Sequence, residues 1–282
     1  MSTDDAALRA RKTWRTVEPL HGMIYFVPEA AAAYERLGIT GRDGYFASRS
    51  APMGAVAAEV VVATFYNFNP ALVHSALPAA WSTTTPEALV TARLEGVDGA
   101  MRRLLGDDVV TSAEMSRAAD LARLAAEEAS TLIEGRPLAA GHANLEWPEA
   151  PHLVLWHAQS ILREYRGDGH IALLVTHGLS GIEALVTHGA SGEVPAPVLR
   201  STRGWSAEEW DDAAGRLCAR GWLAEGEDAV LTPWGGARRQ EIEDQTDVLA
   251  SAAYARLGDD GCDELRSLVR PWSRTFSEVL FR

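Results

Sequence analysis

The sequence holds two cysteines, Cys218 and Cys262, far apart and in no C-x-x-C pair. That excludes a disulfide-stapled scaffold and a structural zinc module, and it fits a reducing compartment. Basic residues are also scarce: 26 Lys and Arg stand against 39 Asp and Glu, a formal net charge of −13. The mean field of such a chain repels phosphate, which argues against a general binder of nucleic acid or anionic membrane unless a local basic patch overrides it. Long apolar runs are missing. The most apolar stretch, Ala55 to Phe65, is interrupted by Glu59 and is too short to span a bilayer. The acidic start, Met1-Ser-Thr-Asp-Asp, has no basic segment before an apolar one and does not read as a signal peptide. The expectation is a soluble, cytoplasmic protein.

Familiar catalytic signatures are absent too. No G-x-G-x-x-G follows a strand, no G-x-x-x-x-G-K-[ST] occurs, and there is no G-x-S-x-G elbow. Dinucleotide chemistry, phosphoryl transfer and serine hydrolysis lose weight accordingly. There is no H-E-x-x-H and no EF-hand loop, and His152 and His157 are spaced so that they do not share a helix face. His170 and His177 could share one, with His188 beyond, but no dense ligand cluster surrounds them. No metal and no cofactor is expected.

What is present is helical patterning. A length of 282 residues with 47% hydrophobic and 23% charged residues suits two compact globular halves. In Glu114 to Glu134, Met115, Ala118, Ala122, Ala125, Ala129 and Leu132 form one stripe, stopped by Gly135 and Pro137. Ser206 caps a helix to Arg220 whose apolar face holds Trp210, Ala213, Ala214, Leu217 and Cys218. Thr232 followed by Pro233 opens a third helix running to Arg256. Further helices are expected at Arg11–Glu18, Glu29–Leu37, Ala51–Tyr66, Pro70–Ala76, Pro86–Leu105, His152–Tyr165, Gly169–His177 and Gly181–His188. Gly106–Ala113 and Gly192–Gly204 read as connections. Beta structure is limited to one hairpin: Trp222-Leu-Ala, a tip of Glu225-Gly-Glu-Asp, then Ala229-Val-Leu. The expected fold is mainly α, with a helical half over residues 1–150 and a winged-helix half with a short β-hairpin over 151–282.

The run Arg216-Leu-Cys-Ala-Arg-Gly-Trp-Leu, the polar hairpin and Leu231-Thr-Pro-Trp-Gly-Gly resemble the winged-helix regulators of the MarR type. In those, a recognition helix ends in L-x-x-x-G-hydrophobic and the wing returns into L-T-x-x-G. The resemblance covers about Asp168 to Leu257. The whole chain is also similar to an actinobacterial helical family with such a C-terminal half. That similarity rests on Gly44-Tyr-Phe-Ala-Ser-Arg-Ser-Ala-Pro-Met-Gly, Phe65-Tyr-Asn-Phe-Asn-Pro, Leu162-Arg-Glu-Tyr-Arg-Gly-Asp-Gly-His and Arg203-Gly-Trp-Ser. It implies a fold and carries over no chemistry.

The helix in the recognition position is acidic where it would meet base edges. Glu208, Glu209, Asp211 and Asp212 occupy its N-terminal half, and only Arg216 and Arg220, at the far end, oppose them. The hairpin tip carries Glu225, Glu227 and Asp228 where a phosphate-gripping wing needs cations. DNA binding is therefore not expected. The same acids also serve as favourable charges at a helix N-terminus.

The densest polar constellation is Leu162 to His170. Arg163 and Arg166 lie one helical turn apart and can converge on one anion, for which the planar guanidinium fork is suited. Gly167 and Gly169 are expected to break the helix, with Asp168 capping the next one or orienting His170. The alternative is a structural joint with Arg163 paired to a carboxylate. Glu59, among apolar neighbours, is expected to be buried, either as a general base or as a partner for Arg49. His21 is the acid/base candidate of the N-terminal side. Tyr25, Tyr45, Arg49, Asn67 and Asn69 complete a possible lining of a cleft between the halves. Trp205, Trp210, Trp222 and Trp234 read as core or dimer interface.

Three functions follow. The first is a protein binding a small anionic metabolite through Arg163, Arg166, Arg49, Tyr25 and Asn67 on a scaffold that no longer reads DNA. Its enzymatic form is a cofactor-independent lyase or transferase of specialised metabolism, with Glu59, His170 and His21 moving protons at an anionic leaving group. The second is a MarR-like DNA-binding regulator or ligand sensor. The third is a non-catalytic partner subunit. A homodimer or a paralogous heterodimer is the assembly expected under any of the three. No membrane partner is expected.

Overall fold

Capping residues and prolines mark where most helices begin. The computed structural model describes residues 3–226 and 229–280. Eleven helices lead to its middle: α1 (Thr3–Gly22), α2 (Pro28–Glu35), α3 (Gly41–Ser50), α4 (Ala58–Phe65), α5 (Pro70–Ala76), α6 (Ala79–Thr83), α7 (Pro86–Leu105), α8 (Asp107–Val110), α9 (Ala113–Ser130), α10 (Pro137–Ala143) and α11 (Pro151–Thr176). Five more follow: α12 (Gly181–Ala190), α13 (Ala196–Arg203), α14 (Ala207–Ala219), α15 (Pro233–Ser251) and α16 (Gly258–Leu280). Ser180 with Glu183, and Ser206 with Glu209, close reciprocal capping boxes at the starts of α12 and α14. Thr232 caps α15 ahead of Pro233.

Two apolar clusters organise these helices. The larger one includes Phe46, Leu89, Met101, Met115, Leu138, Leu155 and, from the far end of the chain, Phe276. The small residues Ala118, Ala122, Ala125 and Ala129 give α9 the flat buried face that packs along α11. The C-terminal α16 returns to pack on α1 and α9. The smaller cluster gathers Leu174, Leu185, Val186, Leu199, Trp210, Leu217, Trp222 and Ile242. Helix α11 serves both: Leu155, Ile161 and Tyr165 belong to the first and Leu174 to the second.

The segment between α4 and α5 ties the clusters together. Asn69 N–H donates to Arg203 O at 2.9 Å, Trp205 Nε1–H to Asn67 O at 2.9 Å, and the Tyr66 hydroxyl to Leu179 O. Gly181 lies so close to this segment that a Cβ on it would stand 2.0 Å from Tyr66 O.

The expected winged helix with a β-hairpin is not formed. No strand is present among the described residues, and the β contact found is one isolated antiparallel bridge, Leu223 to Leu231. Its hydrogen bonds are Ala224 N–H to Val230 O at 2.9 Å and Thr232 N–H to Trp222 O at 3.0 Å. Three-residue arms are too short for a ladder, and an unsupported pair of strands has little stability of its own. Glu227 and Asp228, of the expected tip, lie outside the described residues. The mainly helical class stands.

The expected break at Gly167-Asp168-Gly169 is also absent, since α11 runs unbroken through it. Gly169 is small for a packing reason: a Cβ there would stand 2.5 Å from Arg136 Nη1, which donates to Tyr165 O at 2.6 Å. Asp168 does cap a helix, though a different one: its Oδ2 accepts from the N–H groups of Leu138 and Ala139, at 3.0 and 2.9 Å, at the start of α10. The stretch Gly192–Gly204 contains α13 rather than a plain connection, and Ala51–Tyr66 holds only the short α4 after a 3₁₀ turn. No described helix is by itself long and apolar enough to cross a membrane.

Candidate functional site

The middle of α11 projects Arg163 and Glu164 into a polar hub between the two clusters. Glu164, buried, accepts from Arg49 Nη2 at 3.0 Å and Nε at 3.3 Å and from Arg163 Nη1 at 2.8 Å. Arg163 Nε donates onward to Glu18 on α1 at 2.8 Å. Burial alone would raise the Glu164 carboxyl, but the guanidinium groups of Arg49 and Arg163 outweigh it and hold the group well below the usual carboxylate range. Arg49 also donates to the Tyr45 hydroxyl at 3.2 Å and lies over the Phe65 ring at 4.2 Å.

His21 sits behind this hub, fully buried and stacked on Trp156 at 5.3 Å. Its Nδ1 is 3.0 Å from Ser160 Oγ, and Nε2 is 3.1 Å from the Tyr25 hydroxyl. Ser160 spends its own proton on Trp156 O at 2.9 Å, so Nδ1 must be the donor and Nε2 the acceptor from Tyr25. Burial, then the positive charge of Arg163, pushes the imidazole well below its ordinary value, so His21 is neutral.

One turn on, Arg166 turns to α15. Its Nη1 lies 2.7 Å from Asp247 Oδ1, an ion pair without hydrogen-bond alignment, and its guanidinium covers Trp14 at 4.4 Å. His170 Nδ1 lies 2.9 Å from Thr246 Oγ1, and burial lowers its pKa.

Two cavities flank the hub, and Glu18 and Arg163 line both. The first, about 290 Å³, has Arg11, Arg15, Arg49, Arg163 and Arg166 in its wall, offset by Glu18, Glu164, Glu193 and Glu243. The second, about 690 Å³, opens between the N-terminal helices and α13. Its cations, Arg42, Arg163 and Arg203, face only one carboxylate, Glu18. Phe26, Phe46, Phe68 and Leu72 supply an apolar wall, and Tyr25 and Tyr45 add hydroxyls. Arg203 Nη1 donates to Thr202 Oγ1 at 2.8 Å, its Nε is buried with no hydrogen-bond partner among the described residues, and its guanidinium lies 5.0 Å over Phe68. Arg42 reaches only the Ser201 carbonyl, at 3.4 Å. Burial pushes the Arg203 pKa down, the cost of a cation with no counter-charge beside it.

The expected site residues therefore divide. Arg49, Arg163, Arg166 and His170 come together at the first cavity, and Tyr25 joins Arg163 at the second. Both arginines of α11 line that first cavity, and each also has its own carboxylates. Asn67 contributes its backbone carbonyl to the joint with Trp205. Glu59 is a correction: it is exposed, because α4 turns Ala58, Val61, Thr64 and Phe65 inward and leaves Glu59 and Val60 outside. Apolar neighbours in sequence are not neighbours in space on so short a helix, and Arg49 has Glu164 instead. Glu18, Arg42 and Arg203 escaped sequence reasoning. Arg203 lies in the stretch that read as a connection.

Glu208, Asp211 and Asp212 are exposed on α14, while Glu209 completes the capping box and Arg216 and Arg220 both reach Glu183, at 3.2 and 3.4 Å. Helix α13 ends at a left-handed Gly204, φ 74°, and the capped α14 follows; both pack on α12. Over residues 10–280 the chain matches the helix-turn-helix family, and it belongs to that family. Neither a curated protein nor a solved structure matches it significantly.

Proposed function

We propose that the protein is a ligand sensor of the helix-turn-helix regulator type, which binds a small amphipathic anion in the cleft between the N-terminal helices and α13. The observation that carries this reading is Arg203. It belongs to α13, which would form the helix-turn-helix pair with α14, and its guanidinium lines the 690 Å³ cavity beside aromatic rings, without a carboxylate partner among the described residues. An aryl or alkyl carboxylate would bury its body against Phe26, Phe68 and Leu72 and set its charge between Arg163 and Arg203. Occupancy would then be felt directly by α13. The enzymatic alternative has weaker support: His21 is buried with both ring nitrogens engaged, and Glu59 is on the surface.

Family membership favours a second reading, a DNA-binding regulator, with α14 as the reading helix. The exposed Glu208, Asp211 and Asp212 oppose it, since they would face phosphate. Fluorescence anisotropy with duplexes from the flanking genomic region separates the two: salt-sensitive, submicromolar binding to one duplex establishes the regulator.

The sensor reading is tested by calorimetry with benzoate and its neutral isostere benzamide. Benzoate should bind and benzamide should bind at least tenfold more weakly. Arg203→Met should reduce benzoate affinity about tenfold, the order expected for one charged hydrogen bond. Deuterium exchange over residues 196–219 should slow with benzoate. Equal affinity for the two probes, or no binding of either, overturns the reading.

A further inference from the structure

A second uncompensated arginine lies within the larger cluster, behind Trp156. On α7, Leu89, Arg93, Val97 and Met101 follow at four-residue steps, so Arg93 enters the core in phase with three apolar side chains. It is the bulkiest fully buried side chain among the described residues. Neither Nη1 nor Nη2 has a hydrogen-bond partner among those residues, and no carboxylate pairs with it. Asp98 and Glu95, on the same helix, are committed to His152 and Arg102 and to Arg36. The Trp156 ring, 5.2 Å from the guanidinium carbon, offers a π face.

The groups around Arg93 share its condition. His142 on α10 has both ring nitrogens buried and unpartnered, and so are the Trp156 Nε1 and His157 Nε2 atoms on α11. These three side chains are 1%, 2% and 3% exposed. With Arg93 and Pro52 they line a small, partly open cavity of about 20 Å³. Glu146, at the rim, is solvent-exposed and forms no ion pair with Arg93. Burial, then Arg93, pushes His142 well below its ordinary pKa, and burial takes His157 down to about 4, so both rings are neutral near pH 7.

Donors therefore outnumber acceptors. Among these four buried side chains the guanidinium and the indole only donate, each imidazole donates once, and the imidazole lone pairs are the only acceptors they supply. One full positive charge remains without a counter-charge in a desolvated space, a costly state. A species that only accepts and carries negative charge resolves both imbalances. A cavity of about 20 Å³ suits one water-sized or monatomic occupant better than a bulky tetrahedral anion such as phosphate or sulfate. We propose that Arg93, His142, Trp156 and His157 form an internal site for one monovalent halide of the chloride class.

Thermal unfolding of the full chain in sodium chloride and in sodium gluconate, at matched ionic strength, tests this. Gluconate is too large for the cavity. The midpoint should rise by about 3–6 °C between no chloride and a hundred-fold excess over half-saturation, and stay flat in gluconate. The ³⁵Cl NMR line of chloride should broaden with the protein and sharpen when bromide competes. Arg93→Met should lose both responses and melt in gluconate at or above the wild-type midpoint, because the buried charge is gone. His157→Phe should weaken chloride binding several-fold and keeps the test open should Arg93→Met fail to fold. Identical midpoints in both salts with no excess line width would mean that water fills the cavity, and would overturn the proposal.

Discussion

Arg163 Nε donates to Glu18 at 2.8 Å, and this one ion pair is the partition between the two cavities beside α11. Glu18 is the acid in the wall of the larger cavity, so it competes with any incoming anion for Arg163. Glu18→Gln should tighten benzoate binding about three- to tenfold by calorimetry, roughly what removal of a nearby like charge provides. Both side chains are about a quarter exposed, so unfolding should move by less than about 1 kcal/mol.

Glu164 should behave quite differently. Its removal leaves Arg49 and Arg163 buried together, so Glu164→Gln should cost about 3–5 kcal/mol in urea unfolding. The carboxyl is held below its usual value of 4.5 in the folded chain. Its contribution is therefore complete above that value and fades as pH falls below it. Between pH 6 and 3 the wild-type melting point should fall more steeply than that of Glu164→Gln.

Asp168 has the opposite sign. Burial is the dominant cause and pushes its carboxyl up to about 6, against an ordinary 3.8. Its stabilising contribution is fully present below 3.8 and is lost as pH rises through 6. An asparagine oxygen can accept from Leu138 and Ala139 without ionising. Asp168→Asn should therefore melt at or above wild type at pH 7.5, an advantage that disappears by pH 4. Asp168→Ala, which strips the α10 cap, should lose about 1–2 kcal/mol at any pH.

Two glycines form a contrasting pair. In Gly181→Ala the new Cβ would meet Tyr66 O at 2.0 Å, so α12 must shift and the Tyr66–Leu179 bond must give. A loss of about 3 kcal/mol or more is expected. Gly215, inside α14, has nothing within 4 Å of such a Cβ, and Gly215→Ala should stabilise by up to about 1 kcal/mol. Calorimetric melting of both variants checks the difference.

Local signals in the sequence located α7, α9 and α14 because stripe and cap agree at each. They misread Gly167 and Gly169 because a glycine needed for close packing looks the same as one needed for a turn. Pro195 hid α13 in the same way: proline just ahead of a helix reads as linker until the first turn is seen. Arg163, Arg166 and His170 were legible as a polar group on one helix, but the carboxylates that pair with the two arginines from elsewhere come from α1 and α15, and the second cation on Glu164 comes from α3, at separations no local pattern reports. Lys12 is the only lysine among the 26 basic residues, so nearly every cation here is a fork that needs an acceptor in its plane. Arg93 had a usable signal, a charge at an apolar step of α7.

The unbroken α11, 26 residues and about 40 Å long, acts as an axle through both clusters. Such an axle has no break where it passes from one cluster to the other. The strap from Tyr66 to Asn69 is a second tie between the clusters, holding Leu179 on one side and Arg203 and Trp205 on the other. On the sensor reading, a ligand that engages Arg203 would load α13 and, through the Asn69–Arg203 hydrogen bond, this strap.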